Sequence, residues 1–88
     1  MAYKIEIARE AAKAFRALHP KVANRLKDAI KDLANDPRPP GSIQLKGGEG
    51  EFRIRVGDYR IVYDIHDDQL TILVLRLGHR REIYRYAT

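Results

Sequence analysis

Apolar and polar residues alternate over two neighbouring runs of the chain, Phe52-Arg53-Ile54-Arg55-Val56 and Tyr59-Arg60-Ile61-Val62-Tyr63, with Gly57-Asp58 between them. Successive side chains of a strand point to opposite faces, so this pattern predicts a β-hairpin closed by a two-residue loop. Tyr3 to Ile7 alternates more briefly, through Ile5 and Ile7, as a first strand. From Arg9 to Leu18 the period changes, with Ala11, Phe15 and Leu18 at helical spacing. From Lys21 to Ala34 it is clearer still, Val22, Leu26, Ala29, Ile30 and Leu33 forming one stripe. His19-Pro20 separates these helices, because proline cannot continue the first but suits the opening position of the second, with His19 a poor N-cap. Helices joined so tightly form an antiparallel pair.

Asn35 to Glu51 carries Asp36-Pro37, Pro39-Pro40-Gly41 and Gly47-Gly48, and reads as a connector with Ile43 and Leu45 as apolar anchors. After the hairpin, His66-Asp67-Asp68-Gln69 is a polar turn into Leu70 to Leu77. That run is apolar on both faces, which suits a central strand and leaves its register open. Gly78 ends it, and His79 to Tyr86 forms a basic and aromatic tail. The order β-α-α-β-β-β predicts one α+β domain over residues 1–88, a helix hairpin packed on a mainly antiparallel four-stranded sheet.

The hairpin fixes a register with a chemical consequence. In a type II′ loop the first central residue takes positive φ, which Gly57 adopts without a steric penalty. Val56 then faces Tyr59, Arg55 faces Arg60, Ile54 faces Ile61 and Arg53 faces Val62, so three guanidinium groups share one surface. Like charges directly opposed on a sheet cost up to about 1 kcal/mol, so folding alone does not call for this. A solvated outer face accommodates one or two arginines. A cross-strand pair with a third beside it is better explained as an anion site.

Charge narrows the choice of anion. Seventeen Lys and Arg against 12 Asp and Glu leave a formal charge of +5, with a pI near 9.7, which favours a nucleic acid or an acidic protein as partner. The chain has no cysteine, its three histidines at positions 19, 66 and 79 lack ligand spacing, and Asp67-Asp68 lies in a turn, so neither metal nor cofactor is expected. No apolar run approaches the roughly 20 residues of a membrane span and the N-terminus lacks a signal-peptide core, which points to a cytoplasmic protein away from membranes. The tail supplies His79, Arg80, Arg81, Tyr84, Arg85 and Tyr86. Arginine forks for phosphates and tyrosines for unpaired bases are the parts of a single-stranded RNA site. Tail packing explains either tyrosine alone equally well, and a solvated surface explains Arg81 and Arg85, although Arg81 also stands as an RNA contact. What these groups could perform is attack of a ribose 2′-OH on its own 3′-phosphate, with arginines stabilising the phosphorane and His79 as the neutral-pKa side chain nearby.

The motifs Leu45-Lys46-Gly47, Phe52 to Val56, Tyr59 to Tyr63 and the closing Leu77-Gly78-His79-Arg80-Arg81-Glu82-Ile83-Tyr84, spread over nearly the whole length, resemble the RelE group of the RelE/ParE toxin superfamily. The resemblance implies a fold similar to small microbial ribonucleases and a ribosome-dependent endoribonuclease that cuts mRNA in the A site without a metal. It implies that Arg53, Arg55, Arg60, Arg80 and Tyr84 hold or cleave mRNA and that Lys46 lies near the RNA path. It further implies a RelB-like acidic antitoxin, with operator DNA bound only by the joint complex. RelE ribonucleases often carry lysines where this chain has Arg53 and Arg55; since arginine stays charged, the proton-transfer role passes to His79 or Tyr84. Two other readings share these features: a ParE-like inhibitor of DNA gyrase, and a non-catalytic RNA-binding module.

Overall fold

The computed structural model describes residues 2–45 and 50–81. In chain order they form strand β1 (Lys4–Ile7), helices α1 (Arg9–Arg16) and α2 (Pro20–Asn35), a short strand β2 (Ile43–Gln44), the hairpin β3 (Phe52–Val56) and β4 (Tyr59–His66), a 3₁₀ turn (Asp67–Gln69) and strand β5 (Thr71–His79). The strands make one sheet in the order β1-β5-β4-β3-β2, with β1 parallel to β5 and the other pairs antiparallel.

The sheet thus has five strands where the sequence predicts four. The addition is β2, whose Ile43 pairs with Arg53 and Gln44 with Phe52. Two residues are too few to show alternation, so the pairing is invisible to a periodicity reading. The second departure is at the other end: β5 runs through Gly78 to His79 instead of stopping at Gly78. Gly78 pairs with Arg60 and His79 with Tyr59, so β4 carries the strand past the glycine.

One face of the sheet is sealed. Leu26, Ile30 and Leu33 of α2 and Ala11 of α1 are buried against Ile54, Ile61, Tyr63, Ile72, Val74 and Leu77. Fully burying a leucine or isoleucine side chain contributes about 1.5–3 kcal/mol, which makes this layer the main stabiliser of so small a domain. Pro20 opens α2 at its first turn, and the His19 ring, expected to cap poorly, accepts the Lys21 N–H through Nδ1 at 3.2 Å. The helices cover only this side. Arg53, Arg55, Arg60 and Val62 belong to the opposite face of the sheet.

A polar cluster fastens the far end. Asp67 accepts the Tyr3 hydroxyl at 2.6 Å and pairs with the Arg38 guanidinium at 2.9 Å, while Arg38 also lies 5.4 Å over the Phe52 ring. The Tyr63 hydroxyl donates to the Pro37 carbonyl at 2.7 Å, and burial pushes the Tyr63 pKa up to about 12. The Arg38 hydrogen bond, then that from Tyr3, holds the Asp67 carboxyl below the usual carboxylate range. A carboxyl whose folded pKa is lowered stabilises the fold above its ordinary value of about 3.9 and loses that contribution as pH falls toward the folded value. Asp67→Asn should therefore lower the urea midpoint at pH 7, and the gap from wild type should close as pH drops below about 4. An equal gap at both pH values would show that the ion pair does not supply the difference.

Candidate functional site

The Gly57-Asp58 turn sets the geometry of the open face. Gly57 has φ 62°, and Asp58 is not among the residues with positive φ, the combination of a type II′ loop. The register is Val56 to Tyr59, Arg55 to Arg60, Ile54 to Ile61 and Arg53 to Val62, as the alternation predicts. A Cβ on Gly57 would lie 3.2 Å from the Arg25 guanidinium, so α2 brings one more cation over the turn.

Arg60 is the unusual member of this face. It is only 3% exposed, and among the described residues its side chain makes one hydrogen bond, from a terminal nitrogen to the Tyr59 carbonyl at 3.3 Å. Its Nε is buried without a partner among the described residues, as is that of Arg53. Among the described residues no carboxylate lies within 4.0 Å of Arg53, Arg55 or Arg60. Burying a guanidinium without a counter-ion costs several kcal/mol, so an anion brought to these arginines would meet groups that gain from its charge. Preorganised donors of this kind bind charge without reorganising at the moment of reaction.

The other predicted site residues divide. The Arg80 N–H donates to the Asp58 carbonyl at 2.8 Å, which fixes the backbone of Arg80 beside the turn and brings it to the Arg55–Arg60 end of the face. Arg81 follows, exposed. His79 is not brought to the arginines. Paired with Tyr59, it takes the helix side of the sheet, its ring edge-on to the Tyr59 ring at 5.6 Å, in a recess lined by Ala14, Leu18 and Leu77. Its Nδ1 accepts the Arg81 N–H at 3.3 Å, the arrangement His19 makes with Lys21, so His79 caps the turn that carries Arg80. Lys46 and Tyr84 lie outside the described residues.

Sequence reasoning missed Arg76. It pairs with Val62, which places it on the open face with Arg53, Arg55 and Arg60, and its guanidinium is 4.0 Å from Glu51. The signal was absent because Leu70 to Leu77 reads as apolar on both faces. Among the described residues no group of three or more His, Cys, Asp or Glu could hold a metal ion, and no helix is long and apolar enough to cross a membrane.

Comparison with known proteins gives this architecture a family. The profile of the ParE toxin of type II toxin–antitoxin systems matches residues 5–84. Toxin RelG of Mycobacterium tuberculosis is 33% identical over 86 residues, spanning 97% of this chain and 99% of the relative. The mRNA interferase toxin RelE of Escherichia coli is 29% identical over 91 residues, spanning 99% and 95%. In the crystal structure of the toxin–antitoxin complex RelBE2 from M. tuberculosis, a chain 26% identical superposes with a TM-score of 0.82, over 91% of this chain and 93% of that one. With a family profile along most of its length and a relative above 30% identity matched almost end to end, the chain belongs to the ParE toxin family of type II toxin–antitoxin systems, as a RelE-type toxin.

Proposed function

We propose that this toxin is an endoribonuclease that cuts mRNA in the ribosomal A site by metal-free attack of a 2′-OH on the adjacent phosphate, and so arrests translation in the cytoplasm. The observation that carries the reading is the buried Arg60 opposite Arg55, with no carboxylate within 4.0 Å among the described residues, on the sheet face turned away from α1 and α2. A phosphodiester supplies the missing counter-charge, and the phosphorane formed from it carries still more negative charge for the same guanidiniums to stabilise. The name of the E. coli relative, an mRNA interferase, supports the same chemistry.

The roles we assign join placement on the sheet with the family resemblance. Arg53, Arg55 and Arg60 receive phosphate, Arg80 closes the site from the turn, and Tyr84 acts on the RNA as the family resemblance implies, with Lys46 and Arg81 along its path. Positive charge that a metal ion would otherwise bring is already provided by the arginines. A face built for phosphate but poor in proton carriers makes a weak ribonuclease on free RNA. The ribosome, by aligning the 2′-OH, contributes an orientation term worth about 7–11 kcal/mol in favourable cases. The natural inhibitor is a RelB-like acidic antitoxin that covers the cationic face, and operator DNA is bound only by the pair. RelB appears as the partner in solved complexes of similar toxins, which supports this.

On ribosomes programmed with mRNA in the A site, the toxin should leave a 2′,3′-cyclic or 3′-phosphate upstream and a 5′-OH downstream. A 2′-deoxy substitution at the scissile nucleotide should abolish cutting, and Arg80→Ala should remove it without changing the melting temperature. No cleavage, with gyrase supercoiling inhibited at comparable concentrations, would replace this reading with a ParE-like one.

His79 supplies a second test, since a capping ring and a proton carrier respond differently to substitution. Asparagine accepts a backbone N–H at a cap as well as any residue, whereas alanine cannot. His79→Asn should retain single-turnover cleavage and His79→Ala should lose much of it. Equal loss in both would mean that the imidazole itself takes part in proton transfer.

A further inference from the structure

Across the middle of the sheet, Arg53, Val62 and Arg76 form one row over β3, β4 and β5, and Arg55, Arg60 and Gly78 form the next. Val62 in the centre of the first row is 0% exposed, so the row presents two guanidinium stems flanking an apolar floor. Arg76 reaches this face through an irregularity. From His66 back to Tyr63, β4 pairs with β5 in one register, ending at Tyr63 with Val74; between Tyr63 and Val62 it slips by one, so Val62 meets Arg76 and Leu75 has no partner in the ladder. Without the slip, Leu75 would face Val62 and Arg76 would face Ile61, inside the helix-covered core. β-Bulges re-aim side chains in this way and are over-represented beside active sites. The cost of a broken ladder is spent on turning an arginine outward.

We infer that Arg76 is a further phosphate-contacting residue, binding the RNA backbone on the β5 side of the arginine cluster, and that Glu51 holds its guanidinium in place when RNA is absent. The inference rests on the nucleic-acid reading of this face and extends it to a residue that the family motifs do not include. Glu51 stands immediately before β3, and its carboxylate oxygen lies 4.0 Å from the Arg76 guanidinium. The carboxylate therefore competes with phosphate for the same cation. Removing the arginine and removing the carboxylate should shift RNA affinity in opposite directions, which a purely structural ion pair would not do. Loss of either partner of a structural pair weakens the fold in the same sense.

The test is binding of a short single-stranded RNA, protected from cleavage by 2′-O-methyl groups, followed by fluorescence anisotropy across a salt series. Each phosphate contact on a single strand contributes about 0.7 to the slope of log affinity against log salt. Arg76→Gln should reduce the slope by about 0.7 and weaken binding, Arg76→Lys should keep the slope with lower affinity, and Glu51→Gln should tighten binding severalfold at low salt. Glu51→Gln reports independently should Arg76→Gln not fold. A wild type that binds while Arg76→Gln leaves the slope unchanged, or while both substitutions weaken binding, overturns the inference alone. A wild type that does not bind RNA overturns the reading beneath it as well.

Discussion

At the tip of the β3–β4 hairpin the chain reverses over two residues, Gly57 at φ 62° and Asp58 outside the positive region. Side chains on a strand repeat every second residue, so adding or removing one residue at this turn would exchange the two faces of β3 relative to β4. Ile54 and Ile61 could no longer both lie in the layer beneath the helices, and Arg53, Arg55 and Arg60 would lose their common surface. The core and the site are therefore two faces of one register. Asp58 adds a second function, since its carbonyl accepts the Arg80 N–H and draws the end of β5 to the same corner.

That corner is assembled against the preferences of a folding chain. Arg55 opposes Arg60, the Arg60 side chain is almost fully buried, and among the described residues the carboxylates in ion pairs lie elsewhere, Asp67 with Arg38 and Glu51 with Arg76. An uncompensated buried charge is tolerated where its neighbours are fixed by something stronger, here the apolar layer of Leu26, Leu33, Ile61, Tyr63 and Ile72 on the reverse of the same strands. A small domain thus holds its binding energy in reserve on one side of a sheet that its other side stabilises.

How much of this was legible depended on whether a local signal existed. The hairpin register could be read because Gly57-Asp58 is a strong turn and the flanking residues alternate without interruption. The helices could be read because Val22, Leu26, Ile30 and Leu33 repeat at the right spacing. β2 could not, having two residues, and its partner strand is what reveals it. Arg76 was hidden by a bulge, a feature that depends on pairing between strands and leaves no trace in a run such as Leu73-Val74-Leu75-Arg76-Leu77. His79 was misplaced because the strand continues past Gly78 under the support of β4, and one further residue of strand is enough to send the ring to the helix side. Long-range pairing, invisible to periodicity, decided each of these cases.

The central claim is that Arg60 is buried for the sake of an anion and at the expense of stability, and Arg60→Met tests it most directly. Methionine approximates the arginine stem without the charge, and replacing buried ionic groups by apolar ones of similar volume is often neutral or stabilising by about 1–4 kcal/mol. Urea unfolding should give a midpoint equal to or above that of the wild type with an unchanged m value, while growth inhibition by the induced toxin disappears. A midpoint well below wild type, by the equivalent of about 3 kcal/mol or more, would show that the guanidinium holds the fold together and would contradict the account.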